Sequence, residues 1–247
     1  MKSNTLLAMP MFKDGESYNL NKVIDDIRQR WDFEIPEVEG DDMAAVIEIA
    51  GQTVAIAFLS IPIPWGDIEG TAKYAYNWPQ ATDDLEDHSG HAIVSIMGGE
   101  GGASERFMLL SKLLYSILAT SSAIGVYQGE QSLLIKRRQY LDVMDKLEAD
   151  DIPLSLWIYI GLREYKSASC AYTYGLTAFD KKEIEIINSE LDLENLYGLL
   201  FNISCYVIKS DVNLKDGETI GLTASHKIGI RFSKGEFVKG ESIKLLT

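Results

Sequence analysis

Thiol and imidazole chemistry have little to work with in this sequence: two cysteines and three histidines in 247 residues. Cys170 and Cys205 lie in the apolar stretches SASCAYTYG and LFNISCYVIK, with no C-x-x-C spacing and no neighbouring histidine. That excludes the local redox and metal-binding cysteine motifs and leaves both residues as small buried hydrophobes. No stretch approaches the roughly 18 consecutive apolar residues of a membrane span. The opening MKSNTLLAMPMFKDG lacks a small-residue cleavage pattern, so the cytoplasm is the expected address. Positive charge is scarce as well, with 23 Lys and Arg against 37 Asp and Glu, a formal net charge of −14. Such a surface repels phosphate backbones and anionic headgroups, which disfavours nucleic acid and membrane partners and leaves a basic protein as the compatible one. There is no G-x-S-x-G elbow, and no Lys-Ser/Thr pair follows the glycine run as a P-loop requires. No cofactor is expected.

What the chain does have is an ordinary globular balance, 46% hydrophobic and 24% charged, in a length that suits one large or two small domains. Thr5 to Phe12 reads as a buried strand stopped by Lys13-Asp14-Gly15. Asn19 can cap a helix whose Leu20, Val23, Ile24, Ile27 and Trp31 share one stripe. Ala44 to Ile49 and Thr53 to Ile61 read as a hairpin about Ala50-Gly51-Gln52. Asp67 to Trp78 has helical character, and His91 to Met97 is a strand. The helix Ala103 to Thr120 is apolar nearly all round and reads as a buried connector between two halves. After it come strand character over Ala123 to Ile135, a helix about Tyr140 to Leu147, strands over Leu154 to Leu162 and Ser169 to Ala178, a helix over Asp192 to Val207 and a strand over Lys227 to Phe232. The expected fold is α+β: two ferredoxin-like βαββαβ units joined by the buried helix, with domains 1–121 and 122–247.

Four places carry candidate chemistry. Asp83-Asp84-Leu85-Glu86-Asp87-His88-Ser89-Gly90-His91 is the densest polar cluster, and His88, His91 and Asp87 are ligand types that a divalent metal takes. The two histidines stand three apart with a glycine between them, so the one-face geometry of a helical pair is missing, and a solvated acidic loop explains the same residues. Asp83, Asp84 and Asp87 are then candidates for meeting a partner. Gly98-Gly99-Glu100-Gly101-Gly102 stands before a helix, where an anion could be cradled, although Glu100 opposes it and a flexible turn suffices. Pro62, Pro64, Trp65, Trp78 and Pro79 form either a core rim or a recognition surface, with Trp65 the expected exposed member and partner-binding candidate. His226, between Ser225 and Lys227, reads as a strand-end residue.

In the second half, Gly175-Leu176-Thr177-Ala178-Phe179 leading to Glu183-Ile184-Glu185-Ile186, and Leu214-Lys215-Asp216-Gly217-Glu218-Thr219-Ile220-Gly221 before Lys227-Ile228, resemble a bacterial family known as a domain of unknown function, number forty-two sixty-one. The resemblance covers about the last hundred residues. It implies an intracellular bacterial protein of a kind found in the company of toxin or secretion systems, in an immunity or accessory role, and it supplies no catalytic residues. From the residues themselves, Lys215 to Glu218 has turn chemistry and Glu183 to Ile187 alternates like a strand. The expected function is therefore a non-catalytic binding factor for a basic protein; the alternative is a metal-dependent enzyme using the acidic, histidine-bearing loop.

Overall fold

The computed structural model describes residues 5–165, 168–223 and 226–247. The chain is α+β and divides into two compact units, Met1–Leu156 and Trp157–Thr247.

The first unit runs β1 (Leu6–Lys13), α1 (Leu20–Trp31), β2 (Val38–Gly40), β3 (Ala44–Ile49), β4 (Gln52–Leu59), α2 (Trp65–Ala72), α3 (Ala81–Leu85), β5 (His88–Gly99), α4 (Ala103–Thr120), β6 (Gly125–Gln128), β7 (Leu133–Lys136), α5 (Arg137–Leu141) and α6 (Met144–Glu148). Local chemistry accounts for the elements. The Asn19 side chain accepts from the Lys22 amide at the start of α1, and Leu20, Val23, Ile24, Ile27 and Trp31 are its buried stripe. Ala50 and Gly51 both take positive φ, 49° and 71°, which is the primed turn that matches strand twist in a two-residue hairpin between β3 and β4. In β3 the alternation is complete: Ala45, Ile47 and Ile49 are buried while Ala44, Val46 and Glu48 are exposed.

Helix α4 is buried as its sequence requires, and the Trp31 indole N–H of α1 donates to Ser116 Oγ at 2.9 Å. It packs on α1, β1, β5, α5 and α6, all of the same unit. The connector role is thereby corrected: α4 is the core of the first unit. Strands β6 and β7 extend that unit's sheet, with Met9 opposite Tyr127, so the boundary expected after residue 121 falls after Leu156.

The sheet order is β2-β3-β4-β5-β1-β6-β7, antiparallel throughout. This differs from the ferredoxin-like order, in which the first strand separates the third from the fourth. The connection between β4 and β5 carries only two short helices, α2 of eight residues and α3 of five. β5 returns antiparallel beside β4, from Gln52 opposite Gly99 to Leu59 opposite His91.

The second unit runs β8 (Tyr159–Tyr165), β9 (Ala168–Tyr174), a 3₁₀ turn (Leu176–Phe179), β10 (Ile184–Ser189), α7 (Leu193–Lys209), β11 (Thr219–Thr223), β12 (His226–Lys234) and β13 (Glu241–Leu246). Its order is β11-β12-β13-β10-β9-β8, with β10 and β13 parallel and the other pairs antiparallel. Three strands precede α7 and three follow it, so the expected βαββαβ order is corrected here too. Asp192 caps α7 by accepting from the Asn195 amide, and Leu196, Leu200, Ile203 and Val207 are buried on the face that meets β8 and β9.

Candidate functional site

Strand β4 ends at Leu59, and the chain then reads Ile61-Pro62-Ile63-Pro64-Trp65. The two prolines cannot donate to a ladder, so the sheet cannot continue, and Pro64 presets the entry to α2. Ile63 and Ile68 turn inward with Met11, Trp78, Ala81, Leu85 and Leu134 into a separate small core. Outside it the same segment leaves large apolar side chains in solvent: Ile61 is 59% exposed, Trp65 41%, Tyr74 41% and Tyr76 43%. Asp67 and Glu69 of α2 are exposed among them, and α2 packs against α3, which brings exposed Asp83. Residues 61–76 thus expose four large side chains and two carboxylates. Trp65 thus lies in the surface and Trp78 in the core.

The histidines serve this segment. His88 and His91 are both 5% exposed. The Ile63 amide donates to His88 Nε2 at 3.0 Å, so the proton of that ring is on Nδ1 and is given to the Leu85 carbonyl at 2.7 Å. His91 Nδ1 faces the Ile61 carbonyl at 2.9 Å and must likewise carry its proton. Burial pushes His91 below the ordinary histidine pKa; the bond to Ile61 pulls it back, and the neighbouring His88 adds to the downward push. Asp87 lies out in solvent, 3.9 Å from Lys13. His88 has no ring nitrogen left for a metal, and among the described residues no group of three or more His, Cys, Asp or Glu could hold one. The metal assignment of His88, His91 and Asp87 is therefore withdrawn.

The three aspartates separate in the same way. Asp83 and Asp87 are exposed, the latter beside Lys13. Asp84 accepts from the buried Trp78 indole N–H and from Lys136 Nζ, each at 2.7 Å, and those two donors hold its carboxyl below the usual range. Lys136 also stands 5.5 Å from the centre of the Trp78 ring. Asp84 is thus a tie between α3 and β7. Asp84→Ala strands a buried N–H, and the expected loss is about 1–3 kcal/mol by denaturant titration, against less than about 0.5 for Asp83→Ala.

The glycine run is also spent internally. Gly99 and Gly101 take φ of +133° and +112°, and a Cβ on Gly99 would meet the Gly51 carbonyl at 2.3 Å. The Gly102 amide donates to Glu105 Oε2 at 2.8 Å, so a carboxylate of α4 itself occupies the helix N-terminus where an anion would bind.

The second unit holds the ionisable groups that the sequence analysis missed. Glu183 accepts from the amides of Gly175 (2.8 Å) and Thr177 (3.3 Å) and from Thr173 Oγ1 (2.7 Å), and burial still raises its pKa. Glu185, fully buried, accepts from the amides of Glu236 and Phe237, from Ser242 Oγ and from Lys244 Nζ. Burial pushes Glu185 up, but Lys244, Ser242 and the two amides together hold it below the ordinary carboxylate range. The two glutamates bind the 3₁₀ turn, the 235–238 turn and β13 to β10. Their oxygens are engaged by the unit's own donors, which makes them structural ties.

No curated protein matches the chain, and no solved structure does. Residues 172–246, which include Glu183, Glu185, the turn that embraces the first and the strand that carries Lys244, match the family described as Domain of unknown function (DUF4261).

Proposed function

We propose that the chain is a non-catalytic binding factor that takes a basic protein onto the Ile61–Tyr76 surface of its first unit. The observation that carries this reading is the partition of charge. The first unit has 12 basic and 25 acidic residues, a net −13, whereas the second has 11 and 12, a net −1. The acidic excess thus falls in the unit that exposes Ile61, Trp65, Tyr74 and Tyr76. Aromatic side chains at the centre of an interface supply most of its affinity, and charges at the rim supply steering and partner choice. An immunity or accessory role in the bacterial cytoplasm, as the resemblance implies, belongs to the same proposal.

The test is comparative capture from an extract of cells that naturally express the chain, with wild type and the Ile61→Ser/Trp65→Ala variant side by side. The expected result is a basic protein held by wild type and released by the variant at equal folded protein. Equal retention by both chains, or a purely acidic catch, contradicts the reading. Detected turnover of a substrate contradicts its non-catalytic part.

A further inference from the structure

Ile63 carries the single backbone N–H of the Pro62-Ile63-Pro64 stretch, and that N–H is buried against an imidazole. Thirty residues along the chain from Ile61, His91 takes the Ile61 carbonyl. The residues on either side of Pro62 are thus each held at the backbone by a histidine side chain of β5. We propose that His88 and His91 form a two-point latch that fixes the shape of the Leu59–Trp65 segment and that acid opens it. The latch rests on the binding reading only in what its release would do, and it can be measured without any partner.

The chemistry sets the direction. Protonated His88 would turn an Nε2–H against the Ile63 N–H, donor against donor, so the closed latch requires that ring neutral. Protonated His91 keeps its bond to Ile61 but adds a second N–H in a buried place. On β1, Lys13 stands opposite His88 in register and leans towards Asp87; on β4, Leu59 stands opposite His91. On α2, the Trp65 ring lies 6.5 Å from the His88 ring, with Asp67 and Glu69 exposed beyond it. On α3, Asp84 is engaged by Trp78 and Lys136, and Glu86 after it is exposed. A released segment no longer sets the Ile63 N–H against His88 Nε2, so that nitrogen can take a proton; the open form therefore binds more protons than the closed one, and the latch weakens as pH falls.

Hydrogen exchange reads this at one amide, because the prolines on either side of Ile63 contribute none. In the full chain, the protection of the Ile63 amide relative to its intrinsic rate is expected to fall about tenfold or more between about pH 8 and pH 5.5, while Ile56 in β4 keeps its protection. His88→Gln, whose Oε1 can take the Ile63 N–H at either pH, is expected to hold protection level. Constant Ile63 protection in wild type across that range overturns the latch, as does a His88→Gln chain that loses protection as wild type does. Should His88→Gln fail to fold, imidazole nitrogen NMR of wild type decides: a charged His88 coexisting with full Ile63 protection overturns it, and release of Ile63 in step with His88 protonation supports it. Loss of the partner in the capture experiment would leave this measurement unaffected.

Discussion

Glu185→Ala is expected to cost the second unit about 3–5 kcal/mol, a large share of the roughly 5–15 that holds a domain together. The side chain is fully buried, and its removal strands Lys244, which has 13% of its side chain exposed, together with Ser242 Oγ and the amides of Glu236 and Phe237. Uncompensated charge and unpaired donors add to the cavity left behind. The measurement is hydrogen exchange of β10 and β13 amides with a denaturant titration; a loss below about 1 kcal/mol would show that the carboxylate is dispensable. The pH dependence follows from the directions of the shifts. Glu185 is held below its unfolded value, so its contribution is present above about pH 4.3 and is lost as pH falls through the lowered folded pKa. Glu183 runs the other way: its folded pKa is raised, so the folded unit loses stability as pH rises from about 4.3 through that raised value. Glu183→Gln should remove the second arm and leave the first.

Leu114→Asp is expected to unfold the first unit. Leu114 is fully buried on α4, the helix against which α1, β1 and β5 pack, and an unpaired carboxylate there costs several kcal/mol. Leu114→Ala provides the graded version, at about 2–5 kcal/mol for a cavity in a packed core. Thermal melts followed by circular dichroism check both. A cooperative melt for Leu114→Asp within a few degrees of wild type would mean that α4 is not the centre of the unit.

The elements were legible where local chemistry fixes them. The spacing of Leu20, Val23, Ile24, Ile27 and Trp31 marks α1, the Ala50-Gly51 turn marks its hairpin, and the nearly all-round apolar surface of Ala103 to Thr120 marks a buried helix. What that helix is buried against was not legible, because apolar residues on every side state burial and name no neighbour. Strand order was lost for the same reason: β5 pairs with β4 and with β1, some 80 residues upstream, and nothing local to β5 names either partner. The candidate site was legible in part. Trp65 stood out beside its prolines, and the histidines stood out as unusual. Their use did not, since the partners are backbone atoms at Ile61 and Ile63, although an isoleucine between two prolines advertises one amide in need of an acceptor. Asp84 was indistinguishable from Asp83 because Lys136 lies 52 positions away. The alternation of Glu183 to Ile187 indicated a strand but gave no sign of the turn whose Glu236 and Phe237 amides donate to Glu185.

The proposal that exposed aromatics and acidic charge act together is tested most directly by the kinetics of the captured partner on immobilised chain, at low and high salt. Wild type should lose association rate steeply as salt rises, because steering is screened over a Debye length of about 8 Å under physiological conditions. Asp83→Asn with Asp87→Asn should slow association with little effect on dissociation, and Ile61→Ser with Trp65→Ala should speed dissociation. An association rate indifferent to salt, with dissociation unchanged by the loss of Ile61 and Trp65, would contradict the assignment of this surface.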